Sequence, residues 1–182
     1  CIVLDWMSWT GDLWGQKSLD PERFPDPDQM MRDLHDLHAR LMISIWPNMR
    51  AGGSDWQALK ERGYLLGNQS TYDAFNARAR ALYWQQANDG LFSHGIDAWW
   101  CDCTEPFEAD WNGAVRAEPE ARLRINTEEG KRYLDPEYIN AYSLLHSQGM
   151  YEGQRAVTAQ KRVVNLTRSA YMGQQRYATI TW

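Results

Sequence analysis

Short hydrophobic segments of strand type alternate with amphipathic helical segments along this sequence. Five segments have strand character, and they lie at residues 1–6, 41–46, 96–101, 162–166 and 177–182. Helical spacing follows Asp26-Pro27 and Asp135-Pro136, in which an N-cap residue precedes a proline at the first helical position. A third long helix is predicted at residues 72–92. A strand–helix–strand order is typical of parallel βαβ units, so the sequence predicts an α/β fold with a parallel sheet.

Two parallel architectures fit this order, an open doubly wound sheet and a closed barrel. A doubly wound nucleotide-binding fold places a glycine-rich phosphate loop after its first strand, but here that strand runs into Asp5-Trp6-Met7-Ser8-Trp9. In a barrel, the carboxyl ends of all strands converge on one mouth, where active sites lie. Charged or aromatic residues stand at the carboxyl end of each strand segment: Asp5, Trp46, Asp102, Arg168 and Trp182. The sequence therefore predicts a partial (β/α)8 TIM barrel.

The chain of 182 residues is predicted to be part of a single domain. Five strands fall short of eight, and an open arc leaves two unpaired edges, so the other strands are expected from the remainder of a parent polypeptide. Cys1 leads straight into the apolar residues 2–4, which indicates a start in mid-strand. Residues 104–134 are charged and interrupted by prolines, and they are predicted to form an irregular insertion.

Charge and hydropathy narrow the function classes. The net charge of −5 and the isoelectric point near 5.4 argue against a nucleic-acid partner, which would require a basic face. No apolar run approaches the roughly 18 residues of a membrane span. No membrane partner is therefore expected, and no secretion leader precedes the first strand. The location stays open, with a secreted or periplasmic one favoured.

The sequence predicts neither a metal nor a cofactor. Cys1, Cys101 and Cys103 lack the spacing of a zinc site. Cys101 and Cys103 are two apart in a predicted strand, which places both thiols on one buried side. His35 and His38 are three apart on a predicted helix without a carboxylate cluster, which favours a solvated helix face.

Ten tryptophans and nine tyrosines make the chain rich in large rings. Such rings fill a large core, but indoles also stack on the apolar face of a pyranose, and composition alone does not separate the two uses. Alternation along a strand distinguishes two of them, because Trp100 shares a face with Asp102 whereas Trp99 points away. Trp100 is therefore predicted to line a site, and Trp99 is predicted to lie in the core.

The strongest chemical signal lies at residues 95–106, Gly-Ile-Asp-Ala-Trp-Trp-Cys-Asp-Cys-Thr-Glu-Pro. A hydrophobic strand that ends in a carboxylate, here Asp102, presents an acidic catalyst at a barrel mouth. A role for Asp102 as the cap of the following turn fits the spacing equally well. Asp97 lies at the opposite end of the strand and is predicted to be a structural cap.

This stretch resembles the nucleophile region of glycoside hydrolase family 31, the α-glucosidase and α-xylosidase family. Five other segments resemble the same family in the same order: 2–7, 20–27, 41–48, 165–170 and 179–182. Together they cover nearly the whole chain and correspond to about strands 2 to 6 of the family's catalytic barrel.

The resemblance implies a retaining α-glycoside hydrolase that works by double displacement, with Asp102 as its nucleophile. It places Asp5 at the hydroxyl groups of the sugar in the −1 subsite. Arg168 is expected beside the nucleophile, where its charge favours the ionised carboxylate. The residues expected to wall the substrate site are Trp46, Trp100 and Trp182.

The chain departs from the family pattern at its carboxyl end. In the family, the tryptophan that corresponds to Trp182 is followed within a few residues by a Gly-Asp pair, whose aspartate is the general acid/base. A later histidine lies in the same subsite. Neither is in the sequence, so residues 1–182 alone are expected to be inactive.

Three functions stay open on the sequence. The first is hydrolysis of terminal α-linked glucose or xylose, and the second is α-transglycosylation with the same nucleophile. The third is a non-catalytic, tryptophan-rich carbohydrate-binding fragment. This third function is disfavoured because charged residues are predicted to meet at one barrel mouth, namely Asp5, Asp102 and Arg168. The expected partner in each case is an oligosaccharide or glycoside, and the oligomeric state is not indicated.

Overall fold

The structure, a computed structural model, describes residues 1–107 and 117–182. The strands are β1 (Ile2–Leu4), β2 (Leu41–Ile45), β3 (Ala98–Cys101), β4 (Asn165–Thr167) and β5 (Thr179–Thr181). The helices are α1 (Pro27–Asp36), α2 (Ser54–Glu61), α3 (Ala77–Gly90), α4 (Pro119–Tyr133) and α5 (Ala141–Val157), with 3-10 turns at Phe92–His94 and Gln174–Tyr177. None of the helices in these ranges is long and apolar enough to cross a membrane.

The five described strands form one parallel sheet in the order β1-β2-β3-β4-β5. Each strand therefore pairs with its neighbour in sequence. A doubly wound sheet reverses its strand order at a switch point, whereas a barrel keeps the sequence order around its wall. The sheet confirms the predicted partial (β/α)8 barrel, and β1 and β5 are its two edges.

The helix-facing side of the sheet forms the core. Ile43 and Ile45 of β2 and Trp99 and Cys101 of β3 are buried in one cluster with side chains of α1, α3 and α5. Trp99 is completely buried, as predicted, and its Nε1 donates to Oε1 of Gln154 in α5 at 2.9 Å. Each large side chain buried in this way contributes roughly 1.5–3 kcal/mol, which holds the helix layer against the sheet.

Side-chain caps determine where α1 and α3 begin. Oδ1 of Asp26 accepts a hydrogen bond from Gln29 N–H at 2.8 Å, and α1 begins directly after Asp26, as the Asp-Pro signal predicts. α3 begins five residues later than its predicted start at residue 72. The reason is that Asn76 caps the helix, with Oδ1 accepting from Arg78 N–H at 2.9 Å.

Two segments differ from the prediction. The stretch 104–134, predicted to be irregular, contains α4, and Pro119 occupies its first position, where no N–H is needed. Residues 108–116 of that stretch lie outside the described residues. The second Asp-Pro pair does not begin a helix, because Asp135 closes a turn by accepting from Glu137 N–H at 2.9 Å, and α5 follows later. α2 lies where the sequence predicts only a polar loop.

The two neighbouring cysteines do not share a side, and the prediction that they do is wrong. β3 ends at Cys101, whose side chain packs in the helix-facing core, and burial raises the pKa of its thiol. Cys103 lies beyond the strand with φ of 54°, so strand alternation does not reach it, and its side chain packs against Trp9 and Trp46. All three cysteines are thiols.

Asp97 anchors the amino end of β3. Its Oδ2 accepts from Leu41 N–H at 2.9 Å and lies 2.9 Å from Nε2 of His35, and Lys161 Nζ is 2.9 Å from Oδ1. Burial alone would raise the pKa of Asp97, but the hydrogen bonds from Leu41, Lys161 and His35 lower it below its ordinary value. The structural role predicted for Asp97 is confirmed, and His35 takes part in it instead of lying on a solvated helix face.

Candidate active site

The carboxyl ends of four strands meet around one open cavity of about 360 Å³. The residues that line it are Asp5, Trp6, Trp14, Trp46, Asp102, Cys103 and Arg168. Asp5, Asp102 and Arg168, which the sequence places at the ends of three different strands, are therefore brought together with Trp46.

Asp102 lies directly after β3 and is held by the neighbouring strand. Its N–H donates to the carbonyl oxygen of Ile45 at 3.0 Å, and its Oδ1 accepts from Cys103 N–H at 2.8 Å. Cys103 adopts a left-handed backbone with φ of 54°, which costs a non-glycine residue about 1 kcal/mol or more. The chain turns sharply at Cys103 and leaves the Asp102 side chain at the cavity, 19% exposed.

Arg168 follows β4 and lies beside Asp102. Its Nε is 3.8 Å from Oδ1 of Asp102 and 2.6 Å from Oε1 of Glu105, and its Nη2 contacts Sγ of Cys103 at 3.0 Å. Desolvation alone would lower the pKa of the guanidinium, but Cys103, Glu105 and Asp102 raise it above its ordinary value. Arg168 is therefore a permanent cation next to the Asp102 carboxylate.

Asp5 follows β1 and lines the cavity on the other side of β2 from Asp102. Desolvation raises the pKa of the Asp5 carboxyl, and the negative charge of Asp102 raises it further. The charge of Asp102 thus acts on Asp5, but the two carboxyl groups have different surroundings, because the Arg168 cation lies beside Asp102. Chemistry that uses two carboxyl groups in different roles needs such a difference.

Four tryptophans form a wall beside the cavity, here called the tryptophan wall. Trp6, Trp9, Trp14 and Trp46 pack with ring centroids 5.2–6.4 Å apart in edge-to-face or tilted pairs. Trp9 and Trp46 are buried, whereas Trp6 is 56% exposed. The buried indoles support the exposed ring of Trp6, which offers apolar surface beside the cavity.

Polar contacts from behind hold the tryptophan wall. Tyr83 in α3 donates its hydroxyl to the carbonyl oxygen of Trp46 at 2.7 Å. Burial raises the pKa of Tyr83 well above its ordinary value, so the hydroxyl stays a donor. Arg23 donates to the carbonyl oxygens of Met7 and Trp9 and so fixes the loop that follows β1.

Trp100 and Trp182, which the sequence predicts as wall residues, lie apart from the lining of this cavity. Their rings contact each other edge-to-face, with centroids 5.0 Å apart. Trp100 stands beside Ser44 and Leu166 in the sheet, on the face opposite to the helices, and therefore faces the barrel interior.

Sequence reasoning missed Trp6, Trp14 and Cys103 as cavity residues. Trp6 and Cys103 each come directly after a carboxylate at a strand end, and that position is a signal that could have found both. Trp14 lies in the long loop after β1, whose sequence carries no strand or helix period, so only the folded loop places it at the cavity.

The polar groups of the cavity suit a neutral ligand rich in hydroxyl groups, because carboxylates accept and a guanidinium donates hydrogen bonds. Within the two described ranges, no three His, Cys, Asp or Glu side chains are grouped so that they could hold a metal ion. Carboxyl groups and indoles gathered at the carboxyl-terminal mouth of a parallel barrel lie where enzymes of this fold carry their active sites.

Comparison with known proteins gives the family. Residues 1–182 match the Glycosyl hydrolases family 31 TIM-barrel domain over their whole length. The chain therefore belongs to glycoside hydrolase family 31, and the resemblance seen in its strand-end motifs is confirmed.

Three relatives are similar along the entire chain. An alpha-xylosidase of Saccharolobus solfataricus is 37% identical over 181 residues, which cover 100% of this chain and 24% of the relative. The GH31 alpha-xylosidase from Xanthomonas citri has a TM-score of 0.82 at 35% identity, over 99% of this chain and 20% of that one. A GH31 alpha-xylosidase from a soil metagenome, complexed with xylose, has a TM-score of 0.77 at 27% identity, and the match covers 99% of this chain and 26% of that one. The chain thus spans about a quarter of the length of these relatives.

Proposed function

We propose that residues 1–182 form the nucleophile side of a retaining α-glycosidase active site, with Asp102 as the nucleophile. The observation that carries this proposal is the position of Asp102 at the end of β3, in one cavity with Asp5 and Arg168. Membership of a glycoside hydrolase family supports a glycoside as the substrate.

The proposed reaction has two displacements at the anomeric carbon. An oxygen of Asp102 first bonds to that carbon while the bond to the glycosidic oxygen breaks, and the leaving oxygen takes a proton from a second acidic group. Water then adds to the same carbon and gives up a proton as the ester to Asp102 breaks, so the sugar leaves with its α configuration. The Arg168 cation, 3.8 Å from Oδ1 of Asp102, orients the attacking carboxylate.

Asp5 is proposed to bind hydroxyl groups of the sugar. Hydrogen bonds to a carboxylate strengthen as positive charge develops on the ring, so Asp5 would bind the transition state more tightly than the substrate. The general acid/base is assigned to the Gly-Asp segment that the family places shortly after the tryptophan corresponding to Trp182. A retaining pair lies roughly 5–5.5 Å apart, which requires two strand ends on the same rim of one barrel.

The proposed sugar is terminal α-linked xylose. The relatives that are 37% and 35% identical are named alpha-xylosidases, and a third such enzyme has xylose in its structure. Xylose differs from glucose by lacking the exocyclic hydroxymethyl group, so discrimination depends on the space that the site leaves for that group.

The substitution Asp102→Asn tests the proposal in the complete protein that carries residues 1–182. The amide keeps the shape but cannot attack the anomeric carbon, so kcat on 4-nitrophenyl α-xyloside should fall by roughly 10⁴-fold or more, with xylose binding retained. The parent should turn over the α-xyloside faster than the α-glucoside. Asp97→Asn is the matched control, because it removes a carboxylate at the other end of the same strand. Its kcat on 4-nitrophenyl α-xyloside should stay near the parent value.

A second measurement uses azide with Asp102→Ala. A small anion occupies the vacated space and attacks the α-glycoside directly, so the expected product is the β-glycosyl azide. Near-normal turnover of Asp102→Asn, or mechanism-based labelling of Glu105 in place of Asp102, would leave Asp102 as the cap of its turn.

A further inference from the structure

A hydrogen bond between two buried threonines joins the segments that carry Asp102 and Arg168. Thr104 lies two residues after Asp102, and Thr167 lies one residue before Arg168. Their Oγ1 atoms are 2.8 Å apart, and both side chains are almost completely buried. The pair therefore links the turn after β3 directly to the end of β4.

The hydroxyl group of Thr167 also contacts the backbone of the loop that follows β4. Its Oγ1 lies 3.3 Å from the carbonyl oxygen of Ser169 and accepts from Ser169 N–H at 3.3 Å. Either threonine hydroxyl can be the donor of the bond between Thr104 and Thr167. In both cases Thr167 joins the turn after β3 to the backbone of Ser169.

The loop after β4 is in turn fixed to α5. The buried Gln174 donates through Nε2 to the carbonyl oxygen of Ser169 at 3.2 Å and to Oγ of Ser147 at 3.0 Å. A buried polar group left without a partner costs about 1–3 kcal/mol, so this network resists displacement of the loop. The Thr104–Thr167 bond extends that rigid support to the turn that carries Asp102.

The backbone pairing between β3 and β4 ends before Asp102 and Arg168. β3 and β4 pair at Trp99 with Asn165 and at Trp100 with Leu166, and the register ends there. Past that point Arg168 Nε lies closer to Glu105, at 2.6 Å, than to Asp102, at 3.8 Å. The guanidinium also contacts Sγ of Cys103 through Nη2 at 3.0 Å, so its position depends on how the turn at residues 102–105 lies against the end of β4.

We propose that Thr104 and Thr167 are a positioning pair that sets the separation between the Asp102 carboxylate and the Arg168 guanidinium. This inference rests on the proposed role of Asp102 as the nucleophile. Neither threonine lines the cavity, so the pair acts through Asp102 and Arg168 and not on the sugar.

The test compares Thr167→Val with Thr167→Ser in the complete protein. Valine keeps the volume but removes the hydroxyl, so the carboxylate and the guanidinium shift relative to each other. A misplacement near 1 Å costs up to about 100-fold, so kcat on 4-nitrophenyl α-xyloside should fall by roughly 10- to 100-fold. KM should change less than about two-fold, because the contacts to the sugar remain, and serine should restore most of kcat.

Thr71→Val is the matched control. Thr71 is completely buried, and its Oγ1 accepts from Nδ2 of Asn68 at 2.8 Å, outside the cavity lining. The Thr71→Val variant should lower the thermal midpoint as Thr167→Val does, while its kcat stays near the parent value. A Thr167→Val enzyme with reduced thermal stability and parental kcat would overturn the proposal and leave the pair a purely structural contact.

The partner residue gives a second, independent comparison. Thr104→Val should lower kcat by a factor similar to that of Thr167→Val, and the double variant should lose little more, because both remove one link. Independent, multiplying losses would contradict a shared link even if one single variant folds poorly. An active Asp102→Asn enzyme would refute the proposed function instead, so the two failures are distinguishable.

Discussion

Asp5 and Asp102 show how two residues of one type acquire different properties within one cavity. Asp102 has a guanidinium 3.8 Å from its Oδ1, whereas desolvation and the charge of Asp102 raise the pKa of Asp5. A carboxyl group with a raised pKa can accept from a sugar hydroxyl when ionised or donate to one when protonated.

Asp5→Asn tests the role of Asp5. The amide keeps the size but loses the charge, and a hydrogen bond to a charged group is worth roughly 1.5–3 kcal/mol, so kcat/KM on 4-nitrophenyl α-xyloside should fall roughly 10- to 100-fold. Added azide should not restore the activity of Asp5→Ala. An α-glycosyl azide as the product would instead identify Asp5 as the general acid/base, because azide would then attack the glycosyl-enzyme with retention.

Among the helices, α3 and α5 approach closely because α5 presents two glycines to α3. A Cβ on Gly153 would lie 2.2 Å from Cγ of the buried Trp84, and a Cβ on Gly149 would lie 3.1 Å from Cβ of Arg80. Trp84 in turn packs edge-to-face on Trp99 of β3, with centroids 5.9 Å apart. The smallness of Gly153 therefore determines how α5 sits over the strand that carries Asp102.

Gly153→Ala and Gly149→Ala form a matched pair of substitutions in one helix. Both gain up to about 1 kcal/mol of helix propensity. Gly153→Ala also forces the Trp84 ring to move, and such overpacking costs about 1–3 kcal/mol, so its thermal midpoint should fall. A Cβ on Gly149 would meet the Arg80 side chain at 3.1–3.4 Å without the overlap found at Gly153, so the thermal midpoint of Gly149→Ala should lie above that of Gly153→Ala. Equal midpoints for the two variants would show that Trp84 is free to move aside.

His146 gives α5 a pH dependence. Its Nδ1 lies 2.8 Å from the hydroxyl of Tyr72, and burial, with a smaller contribution from the charge of Lys17, lowers its pKa to about 3. The unfolded chain has an ordinary histidine pKa near 6.5, so below that pH it binds a proton that the native state does not. Stability from this residue is therefore fully present above about pH 6.5 and is lost as the pH falls towards 3.

The expected slope from His146 is up to about 1.4 kcal/mol per pH unit. His146→Asn removes the titrating group and keeps a polar atom near the position of Nδ1. The thermal midpoint of this variant should fall less between about pH 7 and about pH 5 than that of the parent. Identical falls in the two proteins would show that His146 is already protonated in the native state.

Strand positions could be predicted from sequence because they depend on local patterns. β2 and β3 are apolar runs followed directly by Trp46 and Asp102, and parallel strands bring such ends to one edge. The start of α3 could not be predicted in this way. Tyr72 continues the apolar helical pattern, but it pairs with Leu65 in an isolated β-bridge. Asn76 caps the helix instead. A cap or a tertiary partner overrides periodicity in such cases.

The parts of the site that escaped prediction depend on loop conformation. The cysteine prediction failed because it extended strand alternation past Cys101 to a residue with positive φ. Trp14 reaches the cavity only through a loop that Arg23 fixes from a distance in sequence. The Thr104–Thr167 bond likewise joins residues 63 positions apart, and nothing in the local sequence of either threonine indicates the other.

At the scale of the whole chain, the two edges of the sheet determine its tendency to associate. Ile2 and Val3 of β1 and Ile180 of β5 are 49%, 43% and 53% exposed. Among the residues that the structure describes, no strand pairs with the outer side of β1 or β5, and backbone groups there lie beside apolar side chains. This combination favours association with another chain. In a closed barrel both edges are paired.

A polypeptide of residues 1–182 alone should therefore associate and show no turnover. General acid/base help is worth roughly 10² to 10⁴ in rate, and the proposed acid is not among these residues. Size-exclusion chromatography should find oligomers or aggregates, and hydrolysis of 4-nitrophenyl α-xyloside should stay at background while the complete protein is active. Measurable hydrolysis by the short polypeptide would place the acid within it, with Asp5 as the first candidate.

The sheet order has a consequence for synthesis on the ribosome. Each described strand pairs with the strand made immediately before it, so every addition docks on a partner that has already emerged. Translation adds about 5–20 residues per second, and the turn at Asp102 can anchor to Ile45 several seconds before Arg168 is made. The backbone around Asp102 can therefore dock on β2 before the Arg168 guanidinium, which lies beside Asp102 in the folded chain, has been made.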